Sequence, residues 1–148
     1  VFLLVMGIRA DNFELSVFAW FITVFGAMSF YQRPEPGFYV WVHSLTGKQL
    51  LNRKLMLGCG HLVLLGLPFV VSLLIFFPDQ WALIAGGQLL ALLYLSLVIT
   101  VKYAAYPDEM DIVKAFIVAS GMVIPPLLLF LIPYYYQRAV RRLGLVLA

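Results

Sequence analysis

Charge divides this chain into blocks. All seventeen Asp, Glu, Lys and Arg residues fall outside five stretches: 1–8, 15–32, 55–78, 80–101 and 115–137. The last four run without a charge for 18, 24, 22 and 23 residues. About 20 mainly apolar helical residues cross the hydrocarbon core of a bilayer, so each block is long enough, or nearly so, to span. The pattern predicts an all-α, polytopic helical membrane protein with about four transmembrane helices. It forms one transmembrane domain over residues 1–148. The first stretch, "VFLLVMGI", is too short to span and lacks the basic flank of a signal peptide. It reads as the tail of a preceding helix, so the chain is expected to be part of a longer protein.

Breaks in the pattern fall at prolines and polar clusters. "RADNFE" (9–14) is a polar link. Pro34 and Pro36 stop the span 15–32, because proline lacks the amide donor and clashes with the preceding turn. The aromatic segment "FYVWV" that follows suits a membrane interface. "FFPDQW" reads as a tight turn, with Pro78 at its first central position and Asp79 capping the next helix. Spans 55–78 and 80–101 then form a helical hairpin with Trp81 at headgroup level, and Pro68 is expected to kink the first of them. In the last block Pro125-Pro126 predicts a break, Pro133 an end, and "YYYQRAVRR" an aromatic belt followed by arginines.

Composition agrees with the pattern. Hydrophobic residues make up 64% and charged residues 11% of the chain, and the mean hydropathy is +0.99. A soluble domain is about half apolar and a quarter charged. The net charge of +3 comes from basic clusters beside apolar blocks. That placement favours orientation in a membrane over nucleic-acid binding. Loop 33–54, with Arg33, Lys48, Arg53 and Lys54 against Glu35, is expected to be cytoplasmic, and turn 78–80 to lie outside. Loop 102–114 is then cytoplasmic as well. One more full crossing would put Arg138, Arg141 and Arg142 outside, against the rule. Residues 115–137 are therefore either one span that breaks the rule or a re-entrant hairpin bent at Pro125-Pro126.

Candidate chemistry is sparse. "TGKQ" is not a phosphate loop, since Gln49 stands where the motif needs a hydroxyl and position 42 is Val. Cys59 and His61 lie two apart, about 200° around a helix, so they cannot share a metal on one face. His61 is expected to bond a neighbouring helix instead. Asp108, Glu109 and Asp111 in "YPDEMD" could hold a divalent ion, as in a lipid-modifying membrane enzyme, but acids after a proline also start helices. Capping is the stronger reading. No cofactor or metal site is assigned. Ser72, Gln88, Ser96, Thr100 and Ser120 are expected to join helices by hydrogen bonds. Gly87-x-x-x-Ala91 and Ala115-x-x-x-Ala119 are expected to allow close packing. No block contains Asp, Glu, Lys or Arg, where ion-coupled carriers and intramembrane enzymes usually keep them.

The most distinctive segment is "HSLTGKQLLNRK", residues 43–54. Ser44 or Thr46 can cap a helix that begins at about Gly47 and runs straight into span 55–78. Leu50, Leu51 and Leu55 would form its apolar stripe, with Lys48, Gln49, Asn52 and Arg53 mostly on the polar side. Such a segment can serve only as a snorkelling anchor for orientation. It also resembles the cytoplasmic loop of type-2 exporter permeases of the ATP-binding cassette family. In those proteins a short Leu-Pro-aliphatic-Ser segment, basic residues, Gln-Leu-Leu and a Lys lead into the third membrane helix. Here Leu45, Thr46, Lys48, Gln49-Leu50-Leu51 and Lys54 follow in step, with His43 and Ser44 in place of the Leu-Pro.

The resemblance implies the C-terminal part of a permease in a plasma membrane, such as the bacterial inner membrane. A separate ATP-binding subunit would then bind the loop through Leu45, Thr46, Lys48, Gln49, Leu50, Leu51 and Lys54. Membrane lipid and other subunits, as a homo- or hetero-oligomer, are the further partners expected. The alternative is a non-transporting subunit of a membrane complex.

Overall fold

The computed structural model describes residues 2–32, 46–106 and 112–147, and the described residues are helical with no strand. Their helices are α1 (Phe2–Arg9), α2 (Phe13–Gln32), α3 (Gly47–Phe76), α4 (Trp81–Ala105), α5 (Ile112–Val123) and α6 (Leu128–Leu147). Among the described residues three segments are long and apolar enough to cross a membrane: Phe13–Tyr31, Gly47–Phe76 and Pro78–Ala105. Their outward faces carry large exposed side chains such as Phe18, Phe25, Met56, Leu64, Ile75 and Leu83. Apolar exposure on this scale suits lipid and not water. The protein is an all-α helical membrane protein. The aromatic segment 38–42 and the acidic cluster Asp108, Glu109 and Asp111 lie outside the described residues.

The short helix α1 folds back on α2 through a turn built from the polar link. Asp11 takes a left-handed conformation (φ 50°), which Asp tolerates better than most side-chain-bearing residues. Asn12 Oδ1 accepts the Leu15 amide at 3.0 Å and so caps α2. Gly7 packs so closely on Ser16 that a side chain there would collide with it.

The α3–α4 hairpin forms with different capping from that expected. Pro78 opens a single 3-10 turn over Pro78–Gln80, and Gln80 precedes α4 without any side-chain cap bond. Asp79 lies inside that turn, one residue too early to cap α4. Trp81 is exposed at the start of α4. Pro68 lies inside an unbroken α3.

Glycines set the helix contacts. In lipid there is little hydrophobic drive between helices, so close packing of small residues carries more of the association. A β-carbon at Gly58 would meet Ile99 Cδ1 at 2.6 Å, and one at Gly87 would meet the Trp20 ring at 2.8 Å. Trp20 is 1% exposed and Ala91 is buried, so the Gly87-x-x-x-Ala91 face does bring α2 and α4 together. Ala119, by contrast, is exposed.

Most of the hydroxyls turn inward on their own helices. Ser72, Ser96, Thr100 and Ser120 donate to carbonyls three or four residues back, at 2.7–2.9 Å. A hydroxyl in hydrocarbon is satisfied most cheaply this way. Ser96 also reaches another helix, with Cys59 Sγ at 3.6 Å. Gln88 Oε1 and Trp20 Nε1 both lie beside Gly66, buried and with no hydrogen-bond partner.

The final block breaks where two successive prolines remove amide donors. α5 ends at Val123, a 3-10 turn covers Pro125–Leu127, and α6 follows. Pro133 does not end the block, because α6 runs through it to Leu147. The path is decided by contacts. Gly121, Pro125 and Leu128 line a groove with Leu90, Ala91 and Tyr94, near the middle of α4, and the Gly121 β-carbon position lies 3.1 Å from Leu97 Cδ2. Farther along α6, Tyr136 donates to Asn52 Oδ1 at 2.7 Å, and Leu143 sits on Gly47. Helix α6 therefore descends parallel to α4 and ends beside the start of α3. Since α4 also descends to that end, α5 has to climb back to mid-bundle. With 12 residues, it is about 18 Å long, too short to cross. Residues 112–147 form a helical hairpin whose exposed turn lies beside the middle of α4 and whose second arm ends at the foot of the bundle.

Candidate functional site at the cation-rich end of the bundle

This path brings together charges that are far apart in sequence. The foot of the bundle carries Lys48, Arg53 and Lys54 of α3, Lys102 of α4, and Arg138, Arg141 and Arg142 of α6. No carboxylate is among the described residues there. The opposite end carries Arg9 with Asp11, Glu14 and Asp79. A hairpin that returns to this end places all these cations on one side, as the positive-inside pattern asks.

At the centre of this end is the first part of α3. Thr46 caps the helix with a reciprocal pair of bonds. Its Oγ1 accepts the Gln49 amide at 3.4 Å, and the Gln49 side chain accepts the Thr46 amide at 3.2 Å. This capping box satisfies two otherwise orphaned donors. Helix α3 then continues without a break to Phe76, as the sequence predicts for a loop that runs straight into its span.

The stripe divides as expected but faces inward. Lys48, Gln49, Asn52 and Arg53 are exposed, and Leu55 is half-buried. Leu50 and Leu51 are fully buried in the same core as Ala139 and Leu143 of α6. The two leucines expected to dock on a partner are thus buried within the chain. Gly47 lets α6 approach these turns, since a β-carbon there would lie 2.9 Å from Leu143 Cβ and 3.0 Å from the Gly144 backbone nitrogen. Sequence reasoning missed that α6 reaches this end of α3. The clue available was Ala139 and Leu143, four apart after the tyrosines, which continue an apolar helical stripe into the basic tail.

Of the expected partner-binding residues, Leu45 lies outside the described residues. Thr46 and Gln49 bond each other, and Leu50 and Leu51 are internal. The exposed cations Lys48 and Arg53 form the outward surface, with Lys54 half-buried beside them. Lys102 is 6% exposed, its Nζ 5.2 Å from the centre of the Tyr103 ring.

The tyrosine run is not a simple belt. Tyr134 is exposed, Tyr135 is buried, and Tyr136 is held by Asn52. Farther up the bundle, His61 Nδ1 and Tyr31 Oη are 2.8 Å apart, joining α3 to α2. Cys59 faces α4 and His61 faces α2, so the two diverge as their spacing requires. Among the described residues no group of three or more His, Cys, Asp or Glu could hold a metal ion.

Comparison with protein-family models, with curated proteins and with solved structures gave no match in any of the three.

Proposed function

We propose that the chain is a membrane-spanning permease subunit of an ATP-driven exporter, served by a separate ATPase that docks on its cation-rich end. The observation that carries this reading is the unbroken helix α3. Its capped first turns present Lys48 and Arg53 at the foot of the bundle. Gly47 and Asn52 join those turns to Leu143 and Tyr136 of α6, Leu50 and Leu51 bury their inner side, and the remainder of the helix passes through the bundle. A push on the foot would move α3 and α6 together, which is what coupling requires. The three candidate spans contain no Asp, Glu, Lys or Arg in their apolar blocks, which suits a transporter whose energy comes from a partner. The resemblance of residues 43–54 to the coupling loop of type-2 exporter permeases supports the same reading.

In this form of the proposal the cations dock and steer while the leucines transmit. Charge across an interface governs approach and specificity. Lys48→Glu with Arg53→Glu should therefore release a stoichiometric ATP-hydrolysing subunit from the chain purified in mild detergent. The unaltered chain should retain that subunit, and its retention should weaken as salt is raised. Retention unaffected by the double charge reversal would exclude docking through these turns.

One observation favours a non-transporting subunit of a larger complex. The groove between α2, α4 and the re-entrant turn has a volume of about 270 Å³ and a mostly apolar lining, including Phe21, Met28, Leu90 and Leu128. It offers no polar path to a solute. Under the permease reading the pathway therefore lies between this chain and another. Purification of the chain with membrane partners but without ATP hydrolysis would support the structural role.

A further inference from the structure

Helix α6 has two faces. Leu128, Tyr135, Ala139 and Leu143 are buried against the bundle. Phe130, Tyr134, Gln137, Arg138 and Arg141 follow at helical spacing on the other side, and all five are exposed. From the re-entrant turn toward the foot, this outer face passes from an apolar ring to a phenol, then an amide, then two guanidiniums. Phe130 and Arg141 are eleven residues apart, about 16 Å along the axis. That is the order in which one lipid leaflet changes from hydrocarbon through ester to phosphate.

Tyr134, Gln137, Arg138 and Arg141 also enclose a surface crevice of about 270 Å³. Each can donate a hydrogen bond to an anionic oxygen, and guanidiniums bind phosphate with paired donors. No carboxylate among the described residues competes for them at this end.

We infer that the outer face of α6 is a binding site for an anionic phospholipid. Arg138 and Arg141 hold the phosphate, Gln137 and the Tyr134 hydroxyl take the oxygens beneath it, and an acyl chain runs along Phe130 toward the turn. Basic surfaces of this kind beside membrane helices select anionic headgroups. The site holds the tail of the re-entrant hairpin at the leaflet surface, a role separate from any ATPase contact at Lys48 and Arg53.

The test uses the full chain in detergent micelles doped with phosphatidylglycerol or phosphatidylcholine, with inorganic phosphate as a third arm. Bound lipid is counted by native mass spectrometry, and affinity is taken from the titration. Phosphatidylglycerol should bind saturably and in preference to phosphatidylcholine. Arg138→Gln with Arg141→Gln should weaken it roughly 30-fold, as expected for two near-surface cations. The charge-matched pair Arg53→Gln and Arg142→Gln should change it by less than about threefold. All four arginines are exposed, so both variants should fold. Equal losses in the two pairs would reduce the effect to diffuse charge and overturn the site. Competition by inorganic phosphate at millimolar concentration would replace the lipid with a free anion, and equal binding of phosphatidylcholine would remove the headgroup selectivity.

Discussion

Changing Leu50 and Leu51 together to Asp is expected to destroy the folded bundle and not merely to silence a contact surface. Both side chains have 0% exposure and lie where α3 meets α6. Truncating one buried leucine to alanine typically costs about 2–5 kcal/mol. An unpaired carboxylate in the same place costs more, because its charge loses water without gaining a partner. Two such changes exceed a stability margin of about 5–15 kcal/mol, so the variant should lose its monodisperse peak in size-exclusion chromatography. With the chain stripped of any partner subunit, Lys48→Asp on the exposed side should elute as the unaltered chain does. A double variant that elutes and melts normally would return the two leucines to the surface.

The second large effect is a difference in sign between neighbouring glycines. Gly86→Leu meets open space, since nothing lies within 4 Å of its β-carbon position. Leucine is the better helix former by roughly 0.8 kcal/mol, so this variant should melt slightly higher. Gly87→Leu would drive a side chain into Trp20, whose ring carbons lie 2.8 and 3.0 Å from the β-carbon position. Trp20 is fixed between α2, α3 and α4, and overpacking of this kind costs about 1–3 kcal/mol. Its melting temperature should fall. Equal shifts in the two variants would mean that α2 and α4 do not meet at this glycine.

Much of the architecture is legible in the sequence because charge and proline act locally. A membrane core excludes charge, so the uncharged blocks mark the helices α2, α3 and α4 to within a few residues, except at the start of α3. There the sequence supplies its own signal, as Thr46 and Gln49 form a capping box that begins the helix inside the basic loop. The Cys59 and His61 spacing likewise fixes their divergence without any tertiary information.

Long-range facts are less legible. Nothing in "LLNRK" says whether its leucines face a partner or α6, because an apolar stripe records only that something covers it. Pro125-Pro126 predicts a break, but a break alone does not say whether the chain turns back. That depends on Leu128 packing near the middle of α4 and on Leu143 meeting Gly47. Pro133 misleads for a related reason. A proline in the second turn of a helix can be accommodated when packing on α4 holds the rest, so the stop signal was weaker than the tertiary contacts. Asp79 and the hydroxyls show the same limit on a smaller scale, since each has a local alternative to the role its type suggests.

Residues 112–147 turn back beside α4 and end next to the start of α3, which collects the basic clusters on one side. Single cysteines at Lys48, Gln80 and Arg142, each in a Cys59→Ser background, can be labelled in sealed vesicles of known orientation with a membrane-impermeant maleimide. Positions 48 and 142 should react from the same side and position 80 from the other. Labelling of 142 from the side of 80 would make the final block a complete crossing and would contradict the re-entrant hairpin directly.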